Sequence, residues 1–256
     1  VRLGAADARL EDRVAVEAPL EIRIDGRAAT VLMRTPGHDD ELVCGFLYGE
    51  GLIANAGDLL ALERPEGLTG DERGNVIGVR LAAGASALVA ERLFYSSSSC
   101  GVCGKLSIAS LEIRAPHVGD RLRGSREVLC ALPGSLRAAQ PAFAETGGLH
   151  GAALVAADGA LIAVREDVGR HNAVDKLIGR ALVAGELPLA TSALLVSGRV
   201  SYEILQKAIA AGVPLIAAVG APSSLAIDLA EQFDVTLCGF LKPAGFNVYA
   251  GAARIS

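Results

Sequence analysis

Hydrophobic and polar positions alternate in the first part of the chain in a pattern that predicts a hairpin followed by a helix. Two apolar runs within residues 20–33 are separated by Asp25-Gly26, a dipeptide typical of tight hairpin turns. Between residues 39 and 52 the apolar positions recur at helical spacing, and a further strand is expected at residues 76–81. The periodicity then changes. We therefore predict a smaller, β-rich α+β domain over residues 1–90.

Beyond residue 150 the pattern changes to strands and helices that alternate regularly. A second hairpin is predicted around Asp158-Gly159. The strands that follow it are continuously apolar, which is typical of a parallel sheet covered by helices on both faces. We predict an α/β domain over residues 91–256. Its expected strands are 194–196, 215–219 and 235–237, and its expected helices are 173–182, 202–211 and 223–231.

Composition and charge narrow the class of protein. Of the 256 residues, 51% are hydrophobic but only 4% are aromatic, so the core must be built from Ala, Leu, Val and Ile. The net charge of -5 provides no basic field for nucleic acid, which is not an expected partner.

Residues 208–227 lack charge, but glycines and prolines interrupt them, so we expect buried elements and no membrane span. The first ten residues contain no apolar core like that of a secretory signal, and we expect a cytoplasmic protein.

Two cysteines, Cys100 and Cys103, lie three residues apart in a stretch rich in serine and glycine that is followed by Lys105. A following helix start and a nearby lysine lower the pKa of a thiol, and the thiolate is its reactive form. The alternatives are half of a zinc site, a thioredoxin-like redox pair and a structural disulfide. A zinc site needs a second ligand pair, whereas the other cysteines and the histidines are isolated along the chain. We favour a functional dithiol, with zinc as the main alternative.

The predicted α/β sheet also indicates where a ligand binds. Ligands of open α/β sheets lie beyond the carboxyl ends of the strands, where residues 197–199, 220–224 and 238–245 form loops. Small residues at helix starts favour phosphate, and Arg199 and Lys242 add positive charge, so Ser197 and Arg199 are candidate binding residues for a nucleotide-like ligand. The alternative for the serines at 223 and 224 is simple helix capping.

Two polar clusters precede and follow the second hairpin. Residues 146–151 combine glycines with His150, which is either functional or a buried histidine with satisfied hydrogen bonds. Residues 165–172 place several charges at a junction between a strand and a helix. Asp167, His171 and Asn172 are positioned there either to pair with one another or to cap the helix. We expect a structural role for most of this second cluster.

Five motifs distributed along nearly the whole chain occur together in the same order as in one known family. They are RTPG at 34–37, SSCGVCG at 98–104, TGGLH at 146–150, EDVGRHN at 166–172 and FNVY at 246–249. Together they resemble the formate dehydrogenase accessory sulfurtransferase family, FdhD. The resemblance implies a cytoplasmic homodimer with a cytidine-deaminase-like three-layer α/β/α domain beside the smaller N-terminal domain.

The resemblance also implies a function. Members of the family accept sulfane sulfur from a cysteine desulfurase and pass it to the molybdenum cofactor, bis(molybdopterin guanine dinucleotide), before its insertion into formate dehydrogenase. Carried onto this chain, Cys100 bears the persulfide and Cys103 is its partner. The cofactor is then a bound substrate, and no permanent cofactor or metal is expected. The cofactor-binding loop corresponds to Phe240, Leu241, Lys242, Pro243, Ala244 and Gly245.

The sequence departs from the family pattern in this loop and leaves other functions open. Lys242 and Gly245 stand near positions where the family commonly has arginine. A zinc deaminase would need a His-x-Glu motif and a proline before the cysteine pair, and Ser99 occupies that second position. The remaining alternatives are a cofactor-binding chaperone without obligatory cysteine chemistry and a structural zinc or thiol redox protein.

Overall fold

The computed structural model describes residues 11–85 and 122–256. Cys100 and Cys103 lie outside these residues, as does the predicted domain boundary near residue 90. The division into domains at residues 1–90 and 91–256 therefore stays a prediction.

The first part of the chain forms a four-stranded sheet in the order β2-β1-β4-β3. The predicted hairpin is present, and its turn at Asp25-Gly26 has φ values of 48° and 80°. Strands β1 and β4 are parallel, whereas the other pairs are antiparallel. One face of this sheet packs against helix α1. The elements are β1 (Ala18–Ile24), β2 (Arg27–Arg34), α1 (Asp39–Gly49), β3 (Leu59–Glu63) and β4 (Val76–Leu81).

The second sheet has six strands in the order β10-β9-β8-β7-β5-β6. The predicted parallel pairing of β7, β8 and β9 is confirmed, and so is the predicted second hairpin, which β5 and β6 form. The pairs β5–β7 and β9–β10 are antiparallel, which the sequence did not predict. Connections of five and two residues, at 156–160 and 243–244, join β5 to β6 and β9 to β10, and such short connections require antiparallel pairing. The strands are β5 (His150–Val155), β6 (Leu161–Asp167), β7 (Ala193–Val196), β8 (Leu215–Ala218), β9 (Thr236–Lys242) and β10 (Gly245–Ala250).

Helices cover both faces of this six-stranded sheet. Leu194 and Ile216 point into one apolar core under three helices, whereas Leu195 and Ala217 point into a second core under a single helix. The three helices are α4 (Arg170–Val183), α5 (Tyr202–Ala210) and α6 (Ser224–Gln232); the single helix is α2 (Arg126–Ala138), which short α3 (Pro141–Thr146) follows. The α/β class is confirmed, and this part of the chain has three layers.

The strand predicted at residues 235–237 extends much further. It continues as β9 to Lys242, so the predicted loop at 238–245 is an antiparallel hairpin whose turn is formed by Pro243 and Ala244. Gly239 suggested an early end to the strand. The register instead shifts there, and the apolar pattern resumes at Leu241, which is buried.

The two sheets are joined by the close packing of helix α1 on helix α4. A Cβ atom at Gly45 would lie 1.8 Å from the carbonyl oxygen of Asp175, and one at Gly179 would lie 1.8 Å from the carbonyl oxygen of Glu41. Only glycine permits this approach of the two backbones. The helix α4 residue Leu182 completes the core of the four-stranded sheet.

No helix within residues 11–85 and 122–256 combines the length and the apolarity needed to cross a membrane. The uncharged run at 208–227 is divided among the end of α5, the strand β8 and the start of α6. The expectation of buried elements in this run is confirmed.

Candidate functional site

The carboxyl ends of β7, β8 and β9 bring the three predicted loops together at one edge of the sheet. The amide of Gly220 donates to the carbonyl oxygen of Gly198 at 3.2 Å, and the amide of Phe240 donates to the carbonyl oxygen of Gly220 at 3.1 Å. A Cβ atom at Gly220 would lie 2.7 Å from the oxygen of Gly198, so a side chain there would separate the loops. A ligand at this edge can therefore contact all three loops.

Two of the serines at this edge have hydrogen bonds within the protein. The hydroxyl of Ser197 accepts from the amide of Gly151 at 2.9 Å and so ties β5 to the end of β7. The hydroxyl of Ser223 accepts from the amide of Ala226 at 3.3 Å, which is the capping role considered for it. Arg199, in contrast, is exposed. Binding of a ligand by Ser197 and Arg199 stays a prediction.

The residues of the predicted cofactor-binding loop differ in what they present to solvent. Leu241 is 3% exposed and packs in the core under α2, so its side chain does not face a ligand. Lys242, Pro243 and Ala244 are exposed at the hairpin tip, and Gly245 follows them with a φ of 142°. Phe240 is 47% exposed. Its φ of 56° lies in the left-handed region, which a bulky side chain rarely adopts.

Asp167, at the end of β6, organises the junction between β6 and α4. Its carboxylate is fully buried and accepts hydrogen bonds from the amides of Thr35 and Gly169 and from the side-chain amide of Asn172, at 2.8–3.1 Å. The ammonium group of Lys176 lies 2.8 Å from it. The structural role predicted for Asp167 and Asn172 agrees with these contacts.

The RTPG motif contacts this same junction from the other side. The hydroxyl of Thr35 accepts from the amide of Val168 at 3.2 Å, and the carbonyl oxygen of Thr35 accepts from Nζ of Lys176 at 2.9 Å. The buried guanidinium of Arg34 donates two hydrogen bonds of 3.0 Å to Asp39 at the start of α1. Two motifs that are distant in the sequence thus fix the start of α4 together.

The start of α4 places Arg170 beside His150 and the loop after β7. A Cβ atom built on Gly198 would lie 3.3 Å from Nδ1 of His150 and 3.5 Å from Cδ of Arg170. Burial and, secondarily, the positive charge of Arg170 lower the pKa of His150. This imidazole is therefore neutral at neutral pH, and the permanent charge of the cluster resides on Arg170.

His171 links the starts of two helices. Its Nε2 lies 3.2 Å from the hydroxyl of Ser201, the residue that precedes α5, and 3.9 Å from the carboxylate of Glu203. Burial, and then Arg170, lower the pKa of His171 as well. His171 pairs with neither Asp167 nor Asn172 in the structure, in contrast to one of the arrangements considered from the sequence.

Two of the described cysteines are unsuited to nucleophilic chemistry. Cys44 and Cys238 are both buried, and burial raises the pKa of Cys44 to about 11 and that of Cys238 to about 12. Both are therefore protonated thiols at neutral pH and lack the reactive form. Cys130, on α2, is partly exposed.

Sequence reasoning missed Arg170 and Gly198 as members of one cluster. Arg170 was grouped with neighbours whose role is structural, and Gly198 was noted only as a glycine in a loop. The pairing depends on β5 and β7 being adjacent, which the sequence did not indicate. A glycine directly after a buried strand was the one available signal.

Comparisons with known proteins agree with the motifs. Residues 15–256 match the model of the FdhD/NarQ family. The sulfur carrier protein FdhD of Streptomyces avermitilis is 49% identical over 263 residues, covering 100% of this chain and 93% of the relative. The protein of the same name from Mycobacterium tuberculosis is 50% identical over 254 residues, covering 96% and 92%.

A solved structure has the same fold over nearly the full length. It is the crystal structure of a protein from Desulfotalea psychrophila that has been proposed to be a formate dehydrogenase accessory protein. Its TM-score is 0.76 at 26% sequence identity, with coverage of 96% of this chain and 92% of the other. The resemblance inferred from the five motifs is confirmed. The chain belongs to the FdhD/NarQ family.

Proposed function

We propose that this chain is a sulfur carrier that serves formate dehydrogenase and that Cys100 is the residue that carries the sulfur. The observation that carries the proposal is the Cys-x-x-Cys pair at 100 and 103 in a chain that is 49–50% identical to proteins named as sulfur carriers. The high pKa values of Cys44 and Cys238 support it, because they remove two competing thiols.

Loading uses ordinary thiol exchange chemistry. The thiolate of Cys100 attacks the outer sulfur of a persulfide on a cysteine desulfurase. A new S–S bond forms at Cys100, the S–S bond of the desulfurase breaks, and its cysteine leaves as a thiolate. The proton on the transferred sulfur remains there, so Cys100 becomes a persulfide without net oxidation or reduction.

Delivery requires two electrons, because sulfane sulfur must leave at the oxidation level of sulfide. The thiolate of Cys103 supplies them when it attacks the inner sulfur of the Cys100 persulfide. A disulfide between Cys100 and Cys103 then forms, and hydrosulfide leaves toward the metal of the substrate. A dithiol reductant restores the two thiols for the next cycle.

The substrate in this proposal is molybdenum bis(molybdopterin guanine dinucleotide), bound by a guanine nucleotide end at the edge of the six-stranded sheet. Support comes from the meeting of the three loops through Gly198, Gly220 and Phe240. Arg199 and Lys242 are exposed there and can add charge. Partners of the proposed cycle are the cysteine desulfurase and formate dehydrogenase, and the carrier acts as a cytoplasmic homodimer.

Intact-mass spectrometry tests the loading step. The purified chain is incubated with a cysteine desulfurase and cysteine, and we expect it to gain one sulfur atom that a thiol reductant removes. Cys100→Ala should gain none, whereas Cys130→Ala, a control at a partly exposed thiol, should load like the unaltered chain. Loading of Cys100→Ala to the same extent would contradict the assignment.

Complementation separates the carrier from a chaperone that only binds the cofactor. A variant with both Cys100→Ala and Cys103→Ala is expected to leave formate dehydrogenase inactive in a strain that lacks the native gene. Restored activity would show that binding of the substrate, without sulfur chemistry, is the function.

A further inference from the structure

Ser201 occupies the position that usually caps a helix, yet its hydroxyl is used elsewhere. Its backbone has the extended conformation of a capping residue, with a φ of -90° and a ψ of 172°, and its carbonyl oxygen accepts from the amide of Leu205 at 3.1 Å. Its side chain accepts no hydrogen bond from the first turn of α5. Because the backbone already has capping geometry, rotation of the side chain alone would bring the hydroxyl to that turn.

The hydroxyl of Ser201 lies instead between His171 and Glu203. Its oxygen is 3.2 Å from Nε2 of His171, and its hydrogen bond with Glu203 is the main cause of the lowered pKa of that carboxyl group. An ionised carboxylate only accepts, so the hydroxyl donates to Glu203 and accepts from Nε2 of a neutral ring. The carboxylate of Glu203 also accepts from its own backbone amide, in the first turn of α5. Glu203 thus does for this turn what a capping serine would do.

The charges that face His171 come from α4, from α5 and from the segment after α1. Burial and two cations lower the pKa of His171, and two carboxylates raise it; the cations are Arg170 and Lys207, and the carboxylates are Glu203 and Glu50. Glu50 is 3.2 Å from Nζ of Lys207 and is held by that ion pair. Glu203 lies 3.9 Å from Nε2 of His171, beyond hydrogen-bond distance. A positive charge on the ring would draw this carboxylate closer.

We propose that His171, Ser201 and Glu203 form a proton-controlled switch at the start of α5. While His171 is neutral, the hydroxyl of Ser201 accepts from Nε2 and donates to Glu203. When the ring takes a proton from solvent, Nε2–H donates directly to the carboxylate of Glu203. The hydroxyl of Ser201 then turns to accept from the first-turn amide that the carboxylate has left. Only hydrogen bonds change partners in this exchange.

The switch lies at the edge of the sheet where the loops meet. Ser201 ends the loop that follows β7, and the amide of the preceding residue, Val200, donates to the carbonyl oxygen of Ala221 in the next loop at 3.1 Å. His171 lies in the first turn of α4, next to Arg170. Protonation therefore adds a second positive charge at this edge and changes how α5 begins there. The switch is independent of the proposed sulfur chemistry.

Hydrogen exchange of the first-turn amides of α5 tests the switch in the full chain. NMR first gives the pH midpoint at which the ring of His171 titrates. Below that midpoint the amides of Glu203 and Ile204 should exchange roughly fivefold faster in Ser201→Ala than in the unaltered chain, the effect of losing one cap. Above it, the two proteins should exchange alike. Comparison of two proteins at the same pH cancels the intrinsic effect of pH on exchange.

Three further variants make the test specific. Ser201→Thr keeps a hydroxyl and should behave like the unaltered chain on both sides of the midpoint. Glu203→Gln should lower the midpoint of His171, because the carboxylate stabilises the protonated ring. His38→Gln is the matched control, because Nδ1 of His38 lies 3.4 Å from Glu41 in a comparable pair at the start of α1. It should leave the midpoint of His171 and the exchange of α5 unchanged.

Three results would overturn the switch. Equal exchange in Ser201→Ala and the unaltered chain on both sides of the midpoint would mean that Ser201 never caps α5. Exchange that is faster in Ser201→Ala by the same factor on both sides would mean that Ser201 caps α5 whatever the charge of His171. An unchanged midpoint in Glu203→Gln would refute the pairing of the protonated ring with that carboxylate.

Discussion

The carboxylate of Asp167 and the ammonium group of Lys176 form an ion pair of 2.8 Å in which both side chains are almost completely buried. Asp167 ends β6, and Lys176 lies two turns into α4, so the pair fixes the start of that helix. Thr35 contacts both residues through its backbone. The segment after β2 that contains Thr35 and the start of α4 are therefore held together by one buried network of hydrogen bonds and an ion pair.

Lys176→Met tests the strength of this network. Removal of one partner leaves the carboxylate of Asp167 buried without its counter-ion, which typically costs about 3–5 kcal/mol of the free energy of unfolding. Urea denaturation monitored by circular dichroism measures the change. Glu186→Gln is the control, because its partner Arg180 lies on the same helix and the Arg180–Glu186 pair is partly exposed, at 27% and 40%. That variant should lose about 1 kcal/mol or less. Equal losses for the two variants would refute the account of the network.

The contact between α1 and α4 makes a second prediction. Gly45→Ala and Gly179→Ala each place a methyl group 1.8 Å from a carbonyl oxygen of the other helix. The helices must separate, so we expect a loss of more than about 3 kcal/mol or no soluble folded protein. Gly134→Ala, in α2, meets nothing within 4 Å and should stabilise the protein by about 0.5–1 kcal/mol. Thermal denaturation compares the three variants, and unchanged midpoints for the first two would contradict the packing.

Local patterns in the sequence predicted the elements well, whereas relationships between distant residues were missed. Asp25-Gly26 and Asp158-Gly159 are hairpin turns because two residues decide the turn geometry. The RTPG motif, in contrast, derives its role from Asp167, 132 positions away from Thr35. No pattern in the neighbouring sequence predicts such a contact. The length of β9 was missed for a related reason: Gly239 looks like an end, but pairing with β10 continues the strand.

The candidate site was predicted in part. Apolar strands followed by glycine and serine predicted the edge where the loops meet, because the carboxyl ends of parallel strands share one side of a sheet. The sequence did not distinguish Leu241, which is buried, from its exposed neighbours, since the irregularity at Phe240 changes the side to which the residues point. It also did not show that Nε of Arg170 is buried without a hydrogen-bond partner within the described residues, because that depends on every neighbour.

Protonation of Asp175 makes the free energy of unfolding depend on pH. It is fully enclosed beside Lys207 and Glu50, with Phe46 also near the ammonium group. Burial outweighs the attraction of Lys207 and raises the pKa of Asp175 from 3.8 to about 6. The folded state then binds a proton that the unfolded state does not bind until lower pH. The contribution of Asp175 to the free energy of unfolding therefore becomes more favourable as the pH falls from about 6 toward 4.

Asp175→Asn isolates this contribution. The difference in free energy of unfolding between the unaltered chain and the variant should shift in favour of the unaltered chain as the pH falls from 7 to 4, by on the order of 3 kcal/mol. Other carboxylates titrate in both proteins and cancel in the difference. Urea denaturation at several pH values measures it. A difference that is constant, or that shifts the other way, would show that Lys207 dominates over burial.

Phe240 combines an exposed ring with a left-handed backbone, and such outliers occur where function requires them. Phe240→Gly removes the unfavourable conformation for a side chain, so stability should be unchanged or rise by about 1 kcal/mol. Guanosine diphosphate binding should weaken if the ring stacks on the base. Val248→Gly, at an exposed position of β10, is a control that removes a side chain without affecting the nucleotide. A Phe240→Gly variant that loses stability and retains binding would assign the ring to packing.

Transfer of labelled sulfur tests the central claim most directly. The chain is loaded with radioactive sulfur from a cysteine desulfurase, separated from it, and incubated with formate dehydrogenase and its molybdenum cofactor under a dithiol reductant. We expect the label to leave Cys100 and appear in active formate dehydrogenase. Formate dehydrogenase that becomes fully active with Cys100→Ala, without any label, would contradict the account.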